Sequence, residues 1–133
     1  MSTNEQVKVE YYENGNKKTE EHLKDGKQDG VSTFYYESGS IRQVAHYKDG
    51  KLNGVFRWYE DGTRLTIQQW KDGEEDGVFT HWYDDGVKDC EYQIEDGECI
   101  SYTQWYRDGD IDEYNTNNKT FFLQNMKKKE KVG

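Results

Sequence analysis

Acidic side chains recur at fixed intervals along this chain: Glu13, Glu37, Glu60 with Asp61, Asp84 with Asp85, and Asp108. A second set, Asp25, Asp49, Asp72 and Asp96, keeps the same interval. Rows of carboxylates suit metal binding, acid–base work or attraction of a basic surface, and the residues around them choose between these. Asp72-Gly73-Glu74-Glu75-Asp76-Gly77 places acids at alternate positions before a glycine, as an EF-hand loop begins. The twelfth position of such a loop needs a bidentate Glu, and here it is Tyr83. The matching segment Asp49-Gly50-Lys51-Leu52-Asn53-Gly54 carries a lysine where a ligand belongs. A hairpin turn fits both segments. His22, His46 and His81 stand singly, and two equivalent His without a third ligand do not make a zinc site. Cys90 has no His or Asn arranged around it in a pattern for nucleophilic catalysis. No catalytic residue, metal ligand or cofactor is expected, and the chain reads as a non-enzyme.

The rows exist because the chain repeats. A Tyr-x-x-Gly element occurs at Tyr12–Gly15, Tyr36–Gly39, Tyr59–Gly62, Tyr83–Gly86 and Tyr106–Gly109, with the tyrosines 24, 23, 24 and 23 residues apart. Eleven residues after each of the first four glycines comes Asp-Gly, and four residues later Gly30, Gly54, Gly77 or, in the fourth copy, Ser101. Val55-Phe56-Arg57-Trp58-Tyr59 has the β-branched and aromatic composition of a strand. Glu60-Asp61-Gly62 is a tight turn, residues 63–71 return, and Asp72-Gly73 opens the next turn. Each copy is therefore a β-hairpin, and five in tandem make an antiparallel meander.

The eighth position after each turn glycine is Leu23, Tyr47, Trp70 and Ile94, so one face of the sheet should be packed and the other mostly wet. Tyr35-Tyr36, Trp58-Tyr59, Trp82-Tyr83 and Trp105-Tyr106 then read as a ladder of rings. The 24/23 alternation suggests a β-bulge in alternate copies. The fifth copy has Asn117 in place of the apolar eighth residue and no second Asp-Gly. The chain thus divides into a repeat region, 1–114, and a C-terminal cap with a basic tail, 115–133, because an open stack needs its last apolar edge covered.

With 32% hydrophobic and 34% charged residues, a thick core is excluded, while 15% aromatics exclude a disordered chain. The net charge of −9 divides into +4 for residues 119–133 and −13 for the rest. An acidic body disfavours nucleic acid as a ligand and favours a basic partner. No stretch has the length or apolarity of a membrane span, the N-terminus has no apolar run for a signal peptide, and two cysteines nine residues apart read as reduced thiols. The expected location is the cytoplasm, away from membranes.

Segments such as VFRWYEDGTRLTIQQWKDGEEDG resemble the MORN repeat, and more closely its bacterial variant found in antitoxin components of toxin–antitoxin systems. The resemblance runs from about residue 9 to residue 109, carried by the Tyr-x-x-Gly corners, the Asp-Gly pairs and the closing glycines. It implies an all-β fold, an elongated and twisted single-sheet meander of 23/24-residue hairpins, that binds other proteins. On that basis the chain is expected to neutralise a protein partner, such as a toxin or nuclease, by covering a basic surface. The expected partner-binding residues are Glu37, Trp58, Glu60, Asp61, Trp82, Asp84, Asp85, Trp105 and Asp108, the rings as anchors and the carboxylates for steering. An acidic mimic of nucleic acid, and a passive or membrane-associated MORN scaffold, are the alternatives.

Overall fold

The computed structural model describes residues 4–60 and 62–116. It is one open antiparallel sheet. Nine longer strands run β1 (Glu5–Tyr11), β2 (Lys17–Lys24), β4 (Gly30–Tyr35), β5 (Ile41–Lys48), β7 (Gly54–Glu60), β8 (Thr63–Lys71), β10 (Gly77–Trp82), β11 (Lys88–Glu95) and β12 (Glu98–Gln104). They pair in that order, each with its neighbour in the chain. Three two-residue strands, β3 (Lys27–Gln28), β6 (Lys51–Leu52) and β9 (Glu74–Glu75), follow the Asp-Gly turns and pair back onto β2, β5 and β8. No described helix is long and apolar enough to cross a membrane.

Two turn types alternate along the chain. At the first, Asp25, Asp49, Asp72 and Asp96 hold φ of 50–51°, each followed by a glycine that is also left-handed. This is the two-residue hairpin turn that Asp-Gly favours, so the second acidic row serves as turn formers. At the second, Tyr12 N–H donates to Asn16 O and Gly15 N–H to Tyr12 O, closing a three-residue loop with glycine at the left-handed place. Tyr36, Tyr83 and Tyr106 repeat both bonds.

The third corner differs. There Glu60 pairs with Thr63 and Tyr59 with Arg64, so the loop is one residue shorter. Bulges are not confined to alternate copies either. Lys18, Arg42, Leu65 and Asp89, each three residues after its corner glycine, are skipped by the pairing in every return strand. The 23-residue intervals have two separate origins. One is the shorter third corner. The other is the fourth Asp-Gly junction, where pairing slips by one residue at Ile100 instead of two residues around a closing glycine.

The closing glycines have a double reason. Gly30, Gly54 and Gly77 hold φ of 103°, 112° and 107°, and the residue seven places after the corner glycine lies against each. A Cβ on Gly54 would sit 3.2 Å from His46 Cβ, and Gly77 is covered by Gln69, whose Oε1 accepts from Val78 N–H at 2.9 Å. His46 is occupied too, with Nδ1 2.7 Å from Val55 O. These residues seat one copy on the next.

Paired residues of an antiparallel sheet share a face, so the register sorts the side chains. Leu23, Phe34, Ala45, Tyr47, Phe56, Trp58, Trp70, Phe79, Tyr92 and Ile94 fall on one face. Phe79 and Tyr92 stack there with centroids 4.4 Å apart. Ala45 is the one apolar residue fully shielded among those described, beside the equally buried Ser32, whose hydroxyl donates to Gln28 Oε1. The sheet is a single layer protected by its own side chains. The last described residues close one end: Trp105 bridges to Ile111, and Gln104 N–H donates to Thr116 Oγ1. Asn117 and the expected cap and tail beyond it lie outside the described residues.

Candidate functional site

The corner edge gathers most of the expected partner-binding residues. Glu37, Asp84, Asp85 and Asp108 lie in three-residue loops and Glu60 ends β7, all with exposed side chains. Asp61 lies outside the described residues. Two of these acids also serve their own turns: Asp85 Oδ1 accepts from Val87 N–H and Asp108 Oδ1 from Asp110 N–H. Asp84 makes an exposed ion pair with Arg107 of the next copy at 3.2 Å. Glu37 offers its backbone carbonyl to Asn14 and Asn16 of the preceding copy.

The three tryptophans are not brought together as a ladder. Neighbours along a strand point to opposite faces, and the shorter third corner slides Trp58-Tyr59 by one place. Trp58 thereby falls on the face of Phe34 and His81, while Tyr59 takes the place held elsewhere by Tyr35, Trp82 and Trp105. The row that results, Tyr11, Tyr35, Tyr59, Trp82 and Trp105, supplies one ring per copy on the face away from the packed one. The five-residue step from Gly54 to Tyr59, against six from Gly30 to Tyr36, is the signal for it.

The corner tyrosines have a role that composition does not reveal. Tyr12 O–H donates to Tyr35 O at 2.6 Å, Tyr36 O–H to Tyr59 O at 2.8 Å, and Tyr83 O–H to Trp105 O at 3.0 Å. Each staples its copy to the next corner. Burial and the nearby Asp89 carboxylate raise the Tyr83 hydroxyl's pKa. The third corner has Glu60 where the staple would stand.

Five cations of this edge lie over rings, while Lys17 pairs with Glu20 at 3.1 Å. Lys18 covers Tyr12, Arg42 covers Phe34 and Trp58, Arg64 covers Trp82, Lys88 covers Trp105 and Arg107 covers Tyr83, at 4.7–6.0 Å from the centroids. No described ion pair engages the side chains of Glu37, Glu60, Asp85 or Asp108.

One cluster the spacing hid is His81 opposite Cys90 across β10 and β11, with Asp89 Oδ2 2.9 Å from His81 Nδ1. The carboxylate fixes the orientation of the imidazole. Among the described residues, no three His, Cys, Asp or Glu side chains are grouped to hold a metal ion. Glu75, in the segment resembling a calcium loop, accepts from Tyr92 O–H at 2.8 Å. That bond adds to burial in pushing the Tyr92 pKa well above its ordinary value.

Residues 7–25 and 28–49 match the family model of the MORN repeat variant. These two segments carry MORN repeats of the variant type. The matched residues include the corner staple of Tyr12, the Asp25-Gly26 turn and the seat of His46; beyond them Tyr83 repeats the staple, Asp72-Gly73 and Asp96-Gly97 the turn, and Gln69 the seat. No curated protein matches the chain. A crystal structure of accessory secretory proteins 1, 2 and 3 of Streptococcus pneumoniae has a chain similar to it at 16% identity and a TM-score of 0.41. The match covers 68% of this chain and 17% of that one, so this chain spans about a sixth of its neighbour's length. The MORN repeat marks the chain as a β-repeat module for protein interaction.

Proposed function

We propose that this MORN-repeat chain neutralises a protein partner by occlusion, as an antitoxin or immunity-type inhibitor acting in the cytoplasm without catalysis of its own. The observation that supports it is the division of charge at the corner edge. Five arginines and lysines are spread over aromatic rings, whereas Glu37, Glu60, Asp85 and Asp108 face solvent and enter no ion pair among the described residues. A basic surface laid along successive corners meets carboxylates first and rings beside them, the order that favours steered association.

The reading is tested by pull-down from the native host, followed by stopped-flow association of the captured protein with E37K/E60K. A tenfold or larger loss of on-rate at low salt, shrinking as salt rises, is expected, since steering is an ionic-strength effect. An unchanged on-rate removes the corner edge from the interface. Competition between the chain and nucleic acid for a captured nuclease would refine the reading to a nucleic-acid mimic.

A further inference from the structure

The two ends of the sheet are treated differently. At the β12 end, residues 111–116 fold over the last strand, where Asp112 N–H donates to Gln104 O and Trp105 bridges to Ile111. At the other end, β1 pairs with β2 along seven residues, and no described strand covers its outer side. Asp25 N–H donates to Asn4 O, so Asn4 and Asp25 are a hydrogen-bonded pair. By the alternation of antiparallel pairing, Gln6, Lys8 and Glu10 turn their backbone groups toward β2, and Val7, Val9 and Tyr11 turn theirs outward. Natural edges are blunted by proline, short length or charge of one sign; this one is seven residues long without proline, and its charges, Glu5, Lys8 and Glu10, are mixed in sign. Val7 and Tyr11 are 57% and 60% exposed beside it.

We propose that β1 is a self-association edge, joined to β1 of a second copy in antiparallel register centred on Val9. The register follows from three conditions. Side chains must keep to their faces, the outward N–H and C=O groups must meet each other, and like charges must not be opposed. Centring on Val9 satisfies all three: Val9 meets Val9, Val7 meets Tyr11, and Lys8 meets Glu10 twice by symmetry. Centring on Lys8 opposes two lysines. Centring on Val7 sets Lys8 against Gln6 and Val9 against Glu5. Within one chain Lys8 and Glu10 are 3.9 Å apart and more than half exposed, a loose pair that the second copy completes. The contact is isologous, so it closes at two chains and does not propagate. A single strand pair is a small interface, and the dimer is expected to dissociate in the micromolar range or weaker. The proposal is independent of the corner edge.

Sedimentation velocity on the full chain, from micromolar to millimolar concentration, tests it. The wild type should pass from monomer to dimer. Lys8→Glu and Glu10→Lys should each weaken the dimer about tenfold, because two symmetric contacts turn repulsive, and the double variant should restore it. Val9→Pro removes an outward N–H and leaves the β2 ladder intact, so it should give a monomer with an unchanged circular dichroism spectrum. A wild type that stays monomeric throughout overturns the proposal, as does a dimer indifferent to all these changes. Amide protection of Val7 and Val9 that appears only with a protein partner bound would assign the edge to that partner's strand and also overturn it.

Discussion

Along its Asp-Gly edge the sheet is joined from copy to copy by backbone, and along its corner edge by side chains. At the first, Gly50 N–H donates to Gln28 O and Gly73 N–H to Leu52 O, with the turn residues held in left-handed conformations. At the second, a tyrosine hydroxyl crosses to the next copy, and loop length varies from copy to copy. Each edge absorbs one change of length: the backbone joint at the fourth Asp-Gly junction, where no closing glycine stands, is one residue shorter, and so is the third corner loop. What separates the edges is the kind of joint, and the exposed first acidic row lies where side chains hold the copies.

The sharpest way to break the first kind of joint is Gly54→Ala. It forces a φ of 112° on an L residue and pushes a Cβ against His46, and a cost of about 2–3 kcal/mol in urea unfolding is expected. A loss under half a kilocalorie would mean the seat is not rigid. Tyr36→Phe tests the second kind. It removes one hydrogen bond to Tyr59 O and should cost about 1 kcal/mol. Tyr59→Phe sharpens the comparison, because Tyr59 stands off the staple row, and its loss should be a few tenths of a kilocalorie. Equal costs for the two tyrosines would refute the one-place slide at the third corner.

The smallest effect is confined to the end of the sheet. Asp112 is buried, and hydrogen bonds from the Asn115 backbone and side chain hold its carboxyl below the ordinary 3.8. A depressed folded-state pKa stabilises above the unfolded value, and that stabilisation is lost as pH falls through the folded one. Acid titration of hydrogen exchange at Gln104 and Thr116 should therefore show loosening below about pH 4, the ordinary carboxylate range. Asp112→Asn should flatten that profile.

The hairpins, their turns and the acidic corners were legible because glycine and Asp-Gly act locally, through φ alone. The distribution of rings between faces was not. Spacing of 24 and 23 residues makes Trp58, Trp82 and Trp105 look equivalent, yet Trp58 lies opposite the other two. Asp-Gly also stands at Asp85-Gly86 and Asp108-Gly109, where the loops have three residues, so the dipeptide does not report loop length. Cation–π cover by Arg42 and Arg64 joins residues of different copies and leaves no trace in either copy alone.

By itself the sequence determined that this is a meander of hairpins, since each copy contains its own reversals and strand composition. Tertiary structure decided which side chains share a face, which cations are held over rings, and which end of the sheet is left open. Those depend on register, and register is a relation between strands that a shift of one residue inverts.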